Sequence, residues 1–211
     1  PDEFGAGSAS VFADYIFAEG IMVDTRTGRR FVNELASRRV RSEAEMKCLD
    51  KDGNPVFPFG FCSEETTKNR PGFEASFREG TTKRTESVEE LAALYGAPVD
   101  ALRKQIEEWN RMVSSGKDEA FGKPIDKKVL LKPPFYSMRL LPKLHYCMGG
   151  VGITDRAEVI SVQTCRPIPG LYAAGEITGG VHGMDRLGSC SSTDCLAMGR
   201  VAGRSAALRK I

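Results

Sequence analysis

The sequence lacks the features that would direct it to a membrane or to nucleic acid. Within its 211 residues, no apolar run approaches the roughly 20 residues that a membrane-spanning helix needs. The net charge is only +2, from 30 basic and 28 acidic residues, so no excess of positive charge favours nucleic acid or an anionic membrane surface. The 41% share of hydrophobic residues is typical of a globular chain that can bury a core.

Cysteine motifs are also missing. The six cysteines form neither a C-x-x-C pair nor the C-x-x-C-H motif of attached haem. Cys190, Cys195 and His182 come nearest to a metal or redox-thiol site, but four residues separate the two cysteines and no second ligand pair is evident. We therefore expect no metal site and mostly buried, reduced thiols, with Cys190 and Cys195 as small buried residues at the start of a helix.

The first part of the chain mixes strand and helix patterns. GIMVD, residues 20–24, predicts a strand, and the spacing over residues 33–47 predicts a helix. VFPFGFC, residues 56–62, is apolar but interrupted by proline, which predicts an edge strand or a packed loop.

The clearest pattern is a helical hairpin over residues 87–115. Ser87 and Glu90 form a capping box before the first helix, and Gly96 ends it. The second helix carries apolar residues on one face: Leu102, Ile106, Trp109 and Val113.

The pattern of predicted secondary structure changes near residue 140. From Lys143 onward the sequence predicts a hairpin, then a strand that ends at Gly175, then a helix rich in small residues. We predict a mixed α+β unit before this boundary and a piece of an α/β domain after it.

The segment GEITGGVHGMDRLGSCSSTDC, residues 175–195, suits a flat, anionic ligand. Glu176 places a carboxylate just after a strand, where α/β domains bind the hydroxyl groups of ribose. Gly179, Gly180 and Gly183 allow the backbone to approach a ring. Arg186 offers a planar fork for a carboxylate, and the following helix start offers N–H groups.

A longer segment, PGLYAAGEITGGVHGMDRLGS, resembles the C-terminal flavin segment of the fumarate reductase and flavocytochrome c family. Three further stretches agree in the same order: GRRFVNELASR at 28–38, WNRMVSSGKDEAFGKP at 109–124 and KPPFYSMRLLPKLHYCMGGVGIT at 132–154. The fold implied is α+β: a mixed α/β capping domain plus the C-terminal part of a Rossmann-like FAD-binding domain. The implied divisions are a junction at 1–24, the capping domain at 25–138 and the flavin-domain part at 139–211.

The resemblance implies FAD as the cofactor. The cofactor-binding residues that it implies are Ala174, Gly175, Glu176, Gly180, His182, Gly183, Leu187, Gly188, Ser191 and Ser192. A G-x-G-x-x-G fingerprint for the FAD pyrophosphate is absent, so we expect the chain to be the C-terminal part of a longer flavoprotein whose N-terminal half holds that group. The sequence identifies no electron donor.

The resemblance further implies reduction of the C=C bond of an unsaturated carboxylate. Reduced flavin N5 would give a hydride, Arg38 a proton, and Arg186 with His145 would hold the substrate carboxylate. The residues alone favour the alternatives, in which Arg38 forms an exposed ion pair with Glu34 and His145 is a hydrogen-bonded core histidine. Glu34 is a further candidate catalytic residue in this region.

Two positions depart from the fumarate-reducing pattern. Asp14 and Phe17 stand where those members have a glutamate and an arginine, and they resemble the urocanate reductase branch, which favours a ring-bearing acrylate. The alternative is a surface acid and a core aromatic. The other functions that remain open are a flavin dehydrogenase that works oxidatively, on succinate for example, and a non-catalytic fragment.

Overall fold

The computed structural model describes residues 11–209, which divide into two compact units after Pro142. Residues 1–10 of the predicted junction and the last two residues of the predicted flavin-domain part lie outside the described residues. Among the helices of residues 11–209, none combines the length and the apolar character needed to cross a membrane.

The first unit is an antiparallel sheet with helices. Its strands are β1 (Ile21–Asp24), β2 (Arg29–Arg30), β3 (Phe59–Ser63), β4 (Lys83–Thr85) and β5 (Phe135–Arg139). They lie in the order β2-β1-β3-β5-β4. Its helices are α1 (Ala13–Glu19), α2 (Arg38–Glu45), α3 (Phe73–Arg78), α4 (Val88–Tyr95) and α5 (Val99–Ser115). The strand predicted in GIMVD is confirmed as β1.

The prediction for VFPFGFC is wrong, because β3 lies at the centre of the sheet. It pairs with β1 on one side and β5 on the other, and all five of its residues are buried. Pro58 precedes the strand, so it removes no N–H group from the hydrogen-bond ladder, and its carbonyl accepts from Leu140 N at 2.8 Å.

The helix predicted over residues 33–47 is shorter than expected. Asn33 forms a turn instead, with its side-chain oxygen accepting from Leu35 N at 2.8 Å. Such local side-chain bonds compete with a helix, so α2 begins only at Arg38. Ser37 caps it by accepting from Val40 N at 3.4 Å.

Helices α4 and α5 are present where the capping and glycine signals predict them. Ser87 accepts from Glu90 N at 3.1 Å, and α4 ends at Gly96 with φ +72°. The apolar face of α5 packs on one face of the sheet, where Trp109 joins a cluster with Phe59 and Phe61. Alternate strand residues point to the opposite face, where α1 covers a second cluster.

The second unit is a hairpin with one long helix. Strands β6 (Glu158–Ile160) and β7 (Pro167–Tyr172) pair antiparallel, a 3-10 turn follows at Gly175–Ile177, and α6 spans Cys190–Ala207. The hairpin predicted directly after residue 143 is wrong in its first strand, because residues 141–150 form no helix or strand. Strand β6 pairs instead with β7, which overlaps the strand predicted to follow that hairpin.

The expectation of mostly buried thiols is wrong. Cys48 and Cys62 are buried, whereas Cys147, Cys165, Cys190 and Cys195 are exposed. The last two lie on α6, whose one buried residue is Asp194. In the part of the chain that the structure describes, no group of three or more His, Cys, Asp or Glu side chains could hold a metal ion.

Candidate active site

Two segments of the second unit meet through glycines. Val151 N donates to Ile177 O at 2.9 Å, and Gly179 N donates to Val151 O at 3.1 Å. A Cβ at Gly150 would lie 2.1 Å from Ile177 O, and a Cβ at Gly179 would lie 2.8 Å from Gly150 N. Only glycine allows this approach, so the crossing of the two segments carries no side chain at either position.

Glu176 lies in the 3-10 turn that follows β7. Its side chain is exposed, and one carboxylate oxygen accepts from Cys147 N at 2.9 Å. The turn depends on Gly175, which has φ +78° and lies against the Cys195 side chain. The segment before Gly150 is thereby fixed beside the predicted ribose-binding carboxylate.

Arg186 is almost fully buried, at 9% exposure. Its Nη1 donates to Leu187 O at 3.0 Å, and its guanidinium carbon lies 4.8 Å from the centroid of the Tyr146 ring. Its Nε has no hydrogen-bond partner among residues 11–209. His145 is exposed, so it is not the core histidine of the alternative interpretation. The ring that stacks on Arg186 belongs to the next residue, Tyr146.

His182 and Asp194 extend this contact. The Tyr146 and His182 rings meet edge to face, with 5.4 Å between their centroids. His182 Nε2 lies 3.9 Å from Asp194 Oδ2, which is too long for a hydrogen bond. Tyr146, His182, Arg186 and Asp194 therefore form one continuous polar group.

The other predicted cofactor-binding residues surround these groups at the surface. Gly180, Gly183, Leu187, Gly188 and Ser192 are exposed, and Ala174, His182 and Ser191 are half-buried. At the start of α6, Cys190 N donates to Leu187 O at 3.3 Å and Ser192 N donates to Ser189 O at 3.2 Å. These two N–H groups are thus already used within the chain.

In the first unit, Arg38 is the exposed first residue of α2. The next arginine, Arg39, pairs with Glu43 at 2.7 Å. One turn further, the guanidinium carbon of Arg41 lies 4.4 Å from the centroid of the Phe17 ring. Arg38 therefore stands where the helix dipole is positive, with two further cations on the same short helix.

Glu34 does not pair with Arg38. Its carboxylate accepts from Arg30 Nε at 2.8 Å, from Arg30 Nη2 at 2.7 Å and from Met22 N at 3.0 Å, and Lys123 Nζ lies 3.5 Å away. The side chains of Glu34, Arg30 and Lys123 are at most 1% exposed. The expected exposed ion pair is therefore wrong, because the turn at residue 33 directs this carboxylate inward.

Asp14 and Phe17 match the alternative given for them. Asp14 is exposed on α1. Phe17 is 8% exposed and belongs to the apolar cluster under α1 with Phe12 and Ile16. They are a surface acid and a core aromatic that carries Arg41 on its face.

Residues 9–192 match the family model described as an FAD binding domain. The chain belongs to this FAD-binding family. The acrylate reductase flavoprotein subunit of Shewanella woodyi is 43% identical over 97% of the chain, which covers 41% of that protein. The urocanate reductase of Eggerthella lenta is 35% identical over 86% of the chain, which covers 30% of that protein.

The fold agrees with a solved relative. The open conformation of a flavocytochrome c3 fumarate reductase superposes with a TM-score of 0.70 and 34% identity over 92% of the chain, which covers 33% of that structure. The resemblance seen in the sequence, the α+β fold class and FAD as cofactor are thereby confirmed. The chain spans less than half of the length of these relatives.

The residues present fit FAD. The crossing at Gly150 and Gly179 leaves no room for a Cβ, as a backbone surface for a flat ring requires. The exposed carboxylate of Glu176 lies in the turn after β7, where α/β domains bind ribose hydroxyl groups. The buried Nε of Arg186 and the buried hydroxyl of Tyr146 lack partners among the described residues, which leaves them for a second bound group.

Sequence reasoning missed Tyr146 and Asp194. Tyr146 follows His145 directly in LHYCMGG, and the choice between consecutive residues depends on the backbone path, which no local pattern gives. Asp194 carried no usable signal, because acidic residues are common in the first turns of helices.

Proposed function

We propose that the protein is an FAD-dependent reductase of the C=C bond of an α,β-unsaturated carboxylate. The observation that carries this proposal is the buried Arg186 guanidinium, whose Nε has no partner in the described chain. A buried cation with an unused donor is costly unless an anion binds it.

Arg186 is the anchor in this proposal. With Nη1 fixed on Leu187 O, the Nε–H group remains to donate to one carboxylate oxygen of the substrate. Glu176 and the glycines of residues 175–183 would hold FAD, which supplies a hydride to the C=C bond when it is bound and reduced. The anchored carboxylate fixes which carbon receives that hydride.

Arg38 is the proposed proton donor to the second carbon of the bond. An arginine normally keeps its proton, so this role needs surroundings that disfavour the charged form. The N-terminus of α2 and the cation of Arg41 both add positive potential at Arg38, whereas the charge of Arg39 is paired with Glu43. Glu34 acts indirectly in this scheme, since it fixes the segment that leads into α2 from within the buried network.

Within this substrate class, we favour a small acrylate over a ring-bearing acid. The case for a ring rested on Asp14 and Phe17, and the core position of Phe17 leaves its ring occupied by Arg41 and apolar neighbours. The relative with 43% identity is named an acrylate reductase subunit, which supports the smaller substrate. Urocanate and fumarate are the competing candidates.

The test compares Arg38→Ala with Arg39→Ala in the FAD-loaded protein. Acrylate, fumarate and urocanate are offered with a reduced viologen dye as electron donor. General acid catalysis contributes about 10²–10⁴ in rate, so kcat should fall by about that factor in Arg38→Ala and stay within about twofold in Arg39→Ala. FAD content must be equal in both variants.

Equal activity of the two variants would remove Arg38 from the mechanism. A wild-type protein that retains FAD and reduces none of the three acids would reject the reductase itself. Succinate oxidation with an electron acceptor would then support the oxidative alternative, and a protein that retains no flavin would support the non-catalytic one.

A further inference from the structure

Arg186 lies among more polar side chains than one anchor for a substrate carboxylate requires. We name Tyr146, His182, Arg186 and Asp194 together the Tyr146 cluster. Each member carries one buried polar atom without a hydrogen-bond partner in residues 11–209: the Tyr146 hydroxyl, His182 Nε2, Arg186 Nε and Asp194 Oδ2. The contacts that join them are the stacked guanidinium, the edge-to-face rings and the 3.9 Å approach of His182 to Asp194.

A cluster of this kind is expensive for a folded chain. One buried polar group without a partner costs about 1–3 kcal/mol, and native proteins keep few of them. Arg186 and Asp194 are each 9% exposed, so solvent does not satisfy them. Four neighbouring side chains that each carry such an atom are typical of a site that a bound molecule completes.

The donors in the cluster specify the chemistry of that molecule. Arg186 Nε can only donate, and a tyrosine hydroxyl that keeps its proton can donate as well. Desolvation raises the pKa of Tyr146, and the nearby acidic groups of Cys195 and Asp194 raise it further. The phenol therefore stays protonated at neutral pH. Two donors on adjacent, stacked side chains suit the two acceptor oxygens of one carboxylate.

We propose that Tyr146 is a second substrate-binding residue, whose hydroxyl donates a hydrogen bond to the carboxylate that Arg186 anchors. This assignment rests on the proposed reductase function and gives Tyr146 the place that the sequence resemblance assigned to His145. Stacking under the guanidinium also holds the Arg186 fork in one orientation. Because the phenol is neutral, Arg186 supplies the only formal positive charge of this two-donor anchor.

The test removes one oxygen atom and leaves the ring. In the oxidised, FAD-loaded protein no hydride is available, so acrylate, fumarate and urocanate bind without turnover, and calorimetry gives the Kd of the acid that binds best. Tyr146→Phe should raise that Kd about 10- to 100-fold, as expected for a hydrogen bond to a charged group. In turnover, KM should rise by a similar factor while kcat changes less.

Tyr172→Phe is the matched control. Tyr172 lies in the same unit, and its hydroxyl donates to the Ser205 carbonyl at 3.4 Å, so its loss should leave both Kd and FAD content unchanged. FAD content of Tyr146→Phe should also equal that of the wild type, because the stacked ring is retained.

Three results would overturn the assignment: an unchanged Kd in Tyr146→Phe, a loss of FAD without a specific loss of acid binding, or no binding of any of the three acids by the wild type. A different result concerns the proposed function alone. If the acid binds, and binds more weakly to Tyr146→Phe, yet the reduced protein leaves its C=C bond intact, Tyr146 remains a carboxylate ligand and the reductase proposal fails.

Discussion

The first unit encloses aromatic side chains on both faces of its sheet, whereas the second unit leaves most of its large apolar side chains exposed. Trp109 of α5 is 2% exposed, and Leu196 of α6 is 72% exposed. The buried apolar residues of the second unit, within its described part, are Ala157 and Val159. The first unit therefore carries its own core, and the stability of the second depends on what covers or binds it.

The same contrast holds for polar groups. In the first unit the buried charges Arg30, Glu34 and Lys123 contact one another. In the second unit the buried atoms of the Tyr146 cluster lack partners among the described residues. The Arg30 guanidinium makes three hydrogen bonds to carboxylates although its Nη1 lacks a partner among the described residues, so its charge is compensated within the unit. The charged groups of the Tyr146 cluster make no hydrogen bond to an opposite charge among the described residues, and such a buried group is suited to a ligand. The candidate acid therefore stands on a self-contained scaffold, and the candidate anchor belongs to a surface that binding would complete.

The largest expected difference between the two units is the loss of stability when one apolar side chain is removed. Trp109→Ala should lower the free energy of unfolding of the first unit by about 3–5 kcal/mol, because it leaves a large cavity. Leu196→Ala should change stability by no more than about 0.5 kcal/mol. Urea unfolding followed by circular dichroism measures both, since Trp109 is the chain's single tryptophan and its loss removes the fluorescence signal. A cost above about 2 kcal/mol for Leu196→Ala would mean that the second unit has a core.

Several helices could be predicted from the sequence because their signals are local. The cap at Ser87, the glycine at Gly96 and the apolar spacing of α5 lie within the segments they describe. The central place of β3 could not be predicted in this way, because β1 and β5 enclose it from distant parts of the chain. The position of Pro58 in the sequence does not show whether β3 begins before or after it, and so whether the proline removes a hydrogen bond between strands.

The candidate site was predictable to the level of segments and not to the level of contacts. The motif from Gly175 to Cys195 located Arg186 and Glu176. The partner of Glu34 was mistaken because Arg30 and Arg38 both lie four residues away, and only the turn at Asn33 decides between them. Contacts of this kind depend on the path of the backbone.

A smaller effect is expected where the segments of Gly150 and Gly179 cross in the second unit. Gly150→Ala places a Cβ 2.1 Å from Ile177 O, so one segment must move. We expect FAD retention to weaken at least roughly tenfold, which corresponds to about 1.4 kcal/mol, while unfolding of the first unit stays unchanged. The ratio of flavin to protein absorbance after gel filtration gives the first result.

Gly149→Ala is the control for this crossing. No atom lies within 4 Å of a Cβ at Gly149, so this variant should retain FAD as the wild type does. Equal retention by both variants would show that the crossing does not support the cofactor.

The smallest expected effect concerns a titrating group on the helix that carries Arg38. Burial raises the pKa of Glu45 to about 7, against a partial opposing effect of Arg41. The carboxyl group titrates near 4.3 in the unfolded chain. The folded protein therefore binds the proton more tightly, and the stability contributed by protonated Glu45 is fully present below about pH 4 and is lost as the pH rises through 7.

Glu45→Gln should abolish this dependence. At pH 8 the variant should be more stable than the wild type by about 1 kcal/mol, because a half-buried group is partly screened, and at pH 4 the two should be equal. Glu43→Gln is the matched control on the same helix, where loss of the exposed pair with Arg39 should cost about 0.3–0.5 kcal/mol. Urea unfolding at pH 4, 6 and 8 distinguishes them. If the free energy of unfolding changes with pH in the same way for the wild type and Glu45→Gln, the Glu45 side chain is solvated. Helix α2, which carries Arg38, would then be packed less firmly on the first unit than the burial of Glu45 indicates.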